Sequence, residues 1–117
     1  MVTVAKKSGD IRLCLDPKPL NNVLKRNSYP MSTIDDVLPH LHNAKVFTLC
    51  DVKNGFWHVE LDEKSSYLTT FGTPWSRYRW LRLPFGLKPS PEEFVRRLSQ
   101  ALEGLDGVKP VADDILI

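Results

Sequence analysis

The sequence is poor in the features that would assign it to a class at a glance. Only two of its 117 residues are cysteines, Cys14 and Cys50, and neither has a second Cys or a His at metal-site spacing. Both lie in apolar, strand-like runs, which points to buried free thiols in a reducing compartment. The three histidines, His40, His42 and His58, also lack ligand spacing. No apolar stretch approaches the ~20 residues of a membrane span. The basic start, Met1 to Asp10, has no apolar segment behind it of the kind a secretory signal carries. Internal repeats, low-complexity tracts and linkers are absent, and the net charge is only +2.

What is present suits one small globular domain, with 42% hydrophobic and 26% charged residues. The charge is arranged in blocks. Residues 1–29 carry Lys6, Lys7, Arg12, Lys18, Lys25 and Arg26 against Asp10 and Asp16, a balance of +4. Residues 77–97 carry Arg77, Arg79, Arg82, Lys88, Arg96 and Arg97 against Glu92 and Glu93, again +4. The stretches 30–76 and 98–117 are each −3. Alternating blocks suit a protein that grips phosphates in one place and collects cations in another, although solvated faces have the same composition.

Local patterns predict an order of elements. Ile11–Asp16 reads as a strand stopped by Pro17 and Pro19, and 17–30 as loop. Ser32 is placed to cap a short helix bearing Ile34, Val37, Leu38 and Leu41, limited or kinked by Pro39. Val46–Val52 reads as a strand interrupted by one acid, Asp51. Tyr67–Phe71 and Arg77–Leu83 read as strands of a hairpin around Gly72-Thr73-Pro74. Ser90-Pro91-Glu92-Glu93 has the form of a capping box that opens a helix, with Phe94, Leu98, Ala101, Leu102 and Leu105 on its apolar face. Gly104 or Gly107 ends that helix. Val108–Ile117 reads as a last strand with Asp113 and Asp114 in its middle. This mixed order predicts an α+β fold, an antiparallel sheet with helices packed on one face.

The acids stand out against these strands. An unpaired carboxylate inside an apolar strand costs several kcal/mol or is driven to protonate. Asp51 and the Asp113-Asp114 pair can meet only if their strands are sheet neighbours, and carboxylates brought together repel unless a cation lies between them. Mg²⁺ fits that need, because it takes hard oxygen ligands and keeps positions open for phosphate. On spacing alone the alternative is plain: Asp51 ends its strand facing solvent and Asp113-Asp114 marks a turn.

Four segments carry more information. Asp16-Pro17-Lys18-Pro19-Leu20-Asn21 follows Arg12. Phe47-Thr48-Leu49-Cys50-Asp51-Val52-Lys53-Asn54-Gly55-Phe56-Trp57-His58-Val59 surrounds the first acid. Leu83-Pro84-Phe85-Gly86-Leu87-Lys88-Pro89-Ser90-Pro91 leads into the last helix, and Val111-Ala112-Asp113-Asp114-Ile115-Leu116-Ile117 closes the chain. Taken in this order they resemble the motifs of retroelement reverse transcriptases, RNA-directed DNA polymerases, and most closely the gypsy-type long-terminal-repeat group.

The resemblance implies a partial right-hand polymerase of fingers and palm. Residues 1–45 would be fingers-like and 46–117 palm, with a fingers hairpin inserted at about 66–83. It implies that Asp51, Asp113 and Asp114 are catalytic and hold two Mg²⁺ ions, replaceable by Mn²⁺, with the Val52 carbonyl as a backbone ligand. Arg12 and Lys6 would meet the nucleotide phosphates, and Asn54, Gly55, Phe56, Phe85 and Gly86 would form the nucleotide pocket. Phe56 would serve as the ring that excludes a ribose 2′-OH. Lys88, Arg96 and Arg97 would contact nucleic acid. Each has a plainer alternative: Phe56 as core, Arg12 as a solvated strand arginine, Gly86 as a turn glycine, and Arg96 and Arg97 as an exposed helix face. Trp57, Trp75 and Trp80 can stack on bases or pack in the core and hairpin.

The implied partners are an RNA or DNA template with primer, deoxynucleoside triphosphates and the rest of a retroelement polyprotein, with no membrane. The implied place is intracellular, cytoplasmic or nuclear, including retroelement particles. Two departures stand out. Val111 occupies a position where the family usually has an aromatic residue. The chain is also expected to lack the return strand after the aspartates, the thumb and the RNase H domain, an expectation that predicts an exposed sheet edge and marginal stability. The competing expectation is an inactive retroelement remnant that binds nucleic acid or a protein.

Overall fold

The computed structural model describes residues 1–26, 29–111 and 114–117. Along the chain these form β1 (Val2–Ala5), β2 (Ile11–Cys14), α1 (Lys18–Val23), α2 (Ile34–Val37), β3 (Leu49–Asp51), α3 (Glu63–Leu68), β4 (Phe71–Gly72), β5 (Arg77–Tyr78), α4 (Ser90–Ala101), β6 (Lys109–Val111) and β7 (Asp114–Leu116). Two short 3₁₀ turns, Leu38–His40 and Gly55–His58, complete the list. Among the described residues the named strands pair antiparallel, in three small sheets. The chain divides into two compact units, Met1–Arg26 with Phe56–Ser90 and Asn27–Gly55 with Pro91–Ile117.

In the first unit β1 and β2 form a hairpin with Val2 opposite Cys14 and Ala5 opposite Ile11. Its turn closes through Lys6 N–H to the Asp10 carbonyl at 2.7 Å and Gly9 N–H to the Lys6 carbonyl at 3.0 Å. The line of β2 continues against a second segment. Leu15 N–H donates to the Phe85 carbonyl at 2.8 Å, and Cys14 bridges Phe85 in parallel. This contact demands glycine at the next position. Gly86 has φ +104°, and a Cβ there would lie 1.8 Å from the Leu15 carbonyl oxygen. Residues 17–30, expected as loop, contain α1. Pro17 precedes it and Pro19 sits in its first turn, where a missing N–H costs nothing. Asn21 on that helix accepts from Lys88 N–H and donates to the Gly86 carbonyl, each at 2.9 Å. Leu15, Leu83, Pro84 and Leu87 are buried in this unit.

The expected strand Tyr67–Phe71 is mostly helix. Asp62 caps α3 by accepting from Ser65 N–H, which draws Tyr67 and Leu68 into helical backbone ahead of the two-residue strand β4. The buried hydroxyls of Ser66 and Thr69 then tie α3 to the peptide of Trp80. Extended pairing runs instead between 59–61 and 81–83, through Leu61 N–H to Leu81 O and Leu83 N–H to Val59 O.

In the second unit Thr33, not Ser32, opens α2. Its N–H and hydroxyl both donate to the Asp36 carboxylate, at 2.8 and 3.0 Å. The backbone bond foremost, and then the hydroxyl, hold that carboxyl below its ordinary range. Pro39 falls in the 3₁₀ turn after α2, so the expected break is present. The sheet has the order β3-β7-β6. The single strand expected over 108–117 is therefore two strands, with Val111 opposite Asp114, and the return strand expected to be missing is present. Two residues between them, Ala112 and Asp113, lie outside the described residues. Val37, Phe94, Val95 and Leu116 are buried in this unit. Gly55 lies against Phe94, whose Cζ would be 2.8 Å from an added Cβ. The thiols of Cys14 and Cys50 are free and half-buried rather than buried.

Gly86→Ala is expected to cost about 2–4 kcal/mol in urea unfolding, from left-handed strain plus the displaced Leu15 carbonyl. Gly72→Ala, where an added Cβ meets open space, serves as the matched control and stays within about 0.5 kcal/mol of the parent.

Candidate functional site

The acids come together in the second unit. β3 pairs with β7 so that Leu49 faces Leu116, Cys50 faces Ile115 and Asp51 faces Asp114. Residues directly opposite in an antiparallel pair project to the same face. Asp51 and Asp114 therefore share a face with Leu49 and Leu116, while Cys50 and Ile115 take the other. Asp51 is exposed and Asp114 half-buried. Facing like charges cost roughly 0.2–1 kcal/mol relative to neutral pairs, so the register itself favours a cation. Two facing carboxylates are also the donor type that Mg²⁺ prefers, and in this respect the residues fit the ion. Val52 directly follows β3, so its carbonyl is next in line. Among the described residues no three His, Cys, Asp or Glu side chains gather at one point. The described acids form a pair, and Asp113 lies outside the described residues.

A second cluster forms in the first unit. The Phe56 and Phe85 rings stack with centroids 4.6 Å apart and planes at 27°. Trp57 meets Phe85 edge-on at 6.2 Å. The Arg12 guanidinium carbon lies over the Phe85 ring, 4.6 Å from its centroid. Three residues expected around the nucleotide, Arg12, Phe56 and Phe85, thus share one contact set. Asn21, which fixes the backbone at Gly86 and Lys88, was missed; only its position after Pro-Lys-Pro-Leu in the first motif pointed to it. Lys6 is half-buried in the β1–β2 turn. Asn54 and Gly55 belong to the second unit, Asn54 with φ +51°. The smallness of Gly86 and Gly55 is used by the chain's own Leu15 and Phe94.

The basic block at 77–97 is largely committed inside the chain. Arg82 pairs with Glu60 at 3.0 Å, and Arg79 lies over the Tyr67 ring at 4.2 Å. Arg96 and Arg97 both pair with Glu93, at 2.6 and 3.1 Å. Arg77 and Lys88 have no such partner among the described residues, and both are exposed. The Arg82–Glu60 pair is exposed, and pairs of that kind are weak, whereas Glu93 and Arg96 are half-buried. Glu93 serves these arginines rather than a capping box, and the Ser90 hydroxyl donates to the Pro84 carbonyl at 3.0 Å. The tryptophans divide. Trp57 and Trp80 pack at 6.1 Å, while Trp75 is 88% exposed at the tip between β4 and β5.

The class this fold defines is established by comparison. A family model described as reverse transcriptase (RNA-dependent DNA polymerase) matches residues 4–117. The chain belongs to the reverse transcriptase family, whose enzymes are nucleotidyltransferases, and its fold is an α+β fragment of fingers and palm. It is 41% identical over 95 residues to the retrovirus-related Pol polyprotein from transposon 412 of Drosophila melanogaster, covering 81% of this chain and 8% of the relative. It is 34% identical over 113 residues to the enzymatic polyprotein of Figwort mosaic virus, covering 96% and 17%. The foamy viral protease-reverse transcriptase in complex with double-stranded DNA superposes with TM-score 0.86 at 27% identity, over 98% of this chain and 20% of that one. The same viral protein with an RNA/DNA hybrid gives TM-score 0.80 at 26% identity, over 98% and 15%. The chain thus spans less than a fifth of these two curated relatives. Among the described residues no helix is long and apolar enough to cross a membrane.

The Glu93 carboxyl is held below its ordinary range, chiefly by the Arg96 hydrogen bond, with burial opposing and Arg97 adding to the effect. A depressed carboxylate stabilises the fold above its unfolded value, about pH 4.3 for Glu, and that contribution fades as pH falls through the folded value. Glu93→Gln should therefore lower Tm at pH 7 and flatten the acid limb of the Tm–pH profile, measured by circular dichroism between pH 7 and 3.

Proposed function

We propose that this chain carries the nucleotidyl-transfer site of an RNA-directed DNA polymerase, with Asp51, Asp113 and Asp114 as its metal-binding carboxylates. The observation that supports this most directly is the register of β3 on β7, which sets Asp51 opposite Asp114. Asp51 and the aspartate pair, with the Val52 carbonyl, would hold two Mg²⁺ ions, Mn²⁺ being an alternative. When bound, such ions supply activation of a primer 3′ hydroxyl and neutralisation of the departing pyrophosphate. The protein's own part is positioning and charge. Arg12, with Lys6 nearby on the hairpin, offers planar and point-charge donors to the nucleotide phosphates. Phe56, with Phe85 and Gly86 in the first unit, limits the room for a 2′-OH, and Asn54 and Gly55 are the nucleotide-binding residues of the second unit in this reading. Lys88, and Arg96 and Arg97 once released from Glu93, meet the template backbone.

In this reading residues 1–45 serve as fingers and 46–117 as palm, with the hairpin near 66–83 inserted from the fingers. The partners are a primed RNA or DNA template and deoxynucleoside triphosphates, and the setting is a retroelement polyprotein. The DNA and RNA/DNA hybrid named with the foamy viral neighbours support this choice of partners.

The test is primer extension by a full-length polymerase carrying this segment. Asp51→Asn or Asp113→Asn should reduce incorporation by at least about a thousandfold, the scale of losing a group essential to charge stabilisation. In the segment itself, Mn²⁺ should broaden the NMR signals of residues around 51 and 114, and Asp51→Asn should weaken that broadening. Nucleic-acid binding without extension in Mg²⁺ or Mn²⁺ would establish an inactive remnant instead.

A further inference from the structure

We infer that Phe85 is a positioning residue for Arg12: its ring holds the guanidinium by the face and leaves the N–H edge free for a triphosphate. The inference deepens the proposed function and rests on the reading of Arg12 as a phosphate ligand.

Arg12 lies on β2, exposed and opposite Val4. Among the described residues no carboxylate pairs with it, and its partner is the Phe85 ring at 4.6 Å. The five N–H donors of a guanidinium lie in its plane, so a contact through the face consumes none of them. An arginine paired with a carboxylate would have to surrender that partner before meeting phosphate, and an unrestrained one would lose rotamer freedom on binding. Arg12 avoids both.

The ring is itself well fixed. The Phe85 carbonyl accepts from Leu15 N–H, three residues beyond Arg12 on the same strand line, at 2.8 Å. Gly86 follows with its backbone against the Leu15 carbonyl. Phe56 stacks on the ring and Trp57 meets it edge-on. Ring and guanidinium are thus registered by one backbone contact, which gives Phe85 a role distinct from touching the base or sugar.

The experiment measures single-nucleotide incorporation by a full-length polymerase carrying this segment, with Phe85→Leu, Phe85→Tyr, Arg12→Ala and the Arg12→Ala/Phe85→Leu double variant. Phe85→Leu keeps an apolar side chain of similar bulk and removes the π face. It should raise KM for the nucleotide about two- to fivefold, the scale of an exposed cation–π contact, with kcat within about twofold. Phe85→Tyr, which keeps the π face, should show a smaller rise in KM than Phe85→Leu. In the Arg12→Ala background Phe85→Leu should add nothing further. The Arg12 Nε–H proton should show an upfield ring-current shift that Phe85→Leu removes and Phe85→Tyr keeps.

Equal KM increases in Phe85→Leu and Phe85→Tyr, or an undiminished effect of Phe85→Leu in the Arg12→Ala background, would overturn the inference and leave Arg12 as a phosphate ligand. An unchanged KM in Arg12→Ala would overturn the phosphate reading, and the inference with it. If Phe85→Leu proves unstable, the tyrosine variant and the proton shift of the parent still decide the matter.

Discussion

Residue 86 and the Leu15 carbonyl approach so closely that no side chain fits between them, and the arrangement of the first unit depends on that contact. It lets the line of β2 run beside residues 84–86. From there the Phe85 carbonyl takes the Leu15 N–H, and the ring comes to rest under Arg12. Asn21 completes the lock from α1, satisfying a carbonyl on one side of Leu87 and an N–H on the other. The motif Leu-Pro-Phe-Gly is therefore a structural joint. Its glycine is small because the chain itself fills the space.

The second unit depends on a different kind of constraint. Setting Asp51 against Asp114 places two negative charges where a sheet would ordinarily carry an opposite-charge or apolar pair. A short three-stranded sheet has little binding energy with which to offset such an arrangement. Two positions along the same face lies the apolar pair Leu49 and Leu116, of which Leu116 is buried and Leu49 exposed. Acidic and apolar pairs thus share one face of a ladder only three residue pairs long.

Legibility followed the physics of each segment. The stripe Phe94, Leu98, Ala101 showed the last helix because one long periodic face outweighs local ambiguity. The acid in Phe-Thr-Leu-Cys-Asp-Val was conspicuous as the one charge in an apolar run, but the burial expected of it is not found: Asp51 is exposed at the end of β3. The strand break at Val111 was not, since Pro-Val-Ala-Asp-Asp-Ile-Leu has no glycine and reads as extended throughout. Helix α1 was hidden by prolines that also suit a first helical turn. Tyr67 and Leu68 have strand propensity, and the Asp62 cap overrode it. Asn21 was beyond local reasoning altogether, because its partners lie 65 and 67 positions away. The family was legible through four ordered motifs. The placement of Arg12 over Phe85 required the fold.

The division of the chain has a consequence for its heredity. The polypeptide passes between the two units three times, after residues 26, 55 and 90. Each unit is therefore written in two separate stretches of sequence, and no single cut separates them. Joining the halves of the first unit means closing a loop of 29 residues, and joining those of the second means closing one of 35. Closure of loops this size differs little in entropy, since the cost grows only with the logarithm of length. Neither half-unit has a ready partner until the other's sequence has been threaded through. Recombination can thus exchange what surrounds this segment far more readily than it can exchange one unit without the other.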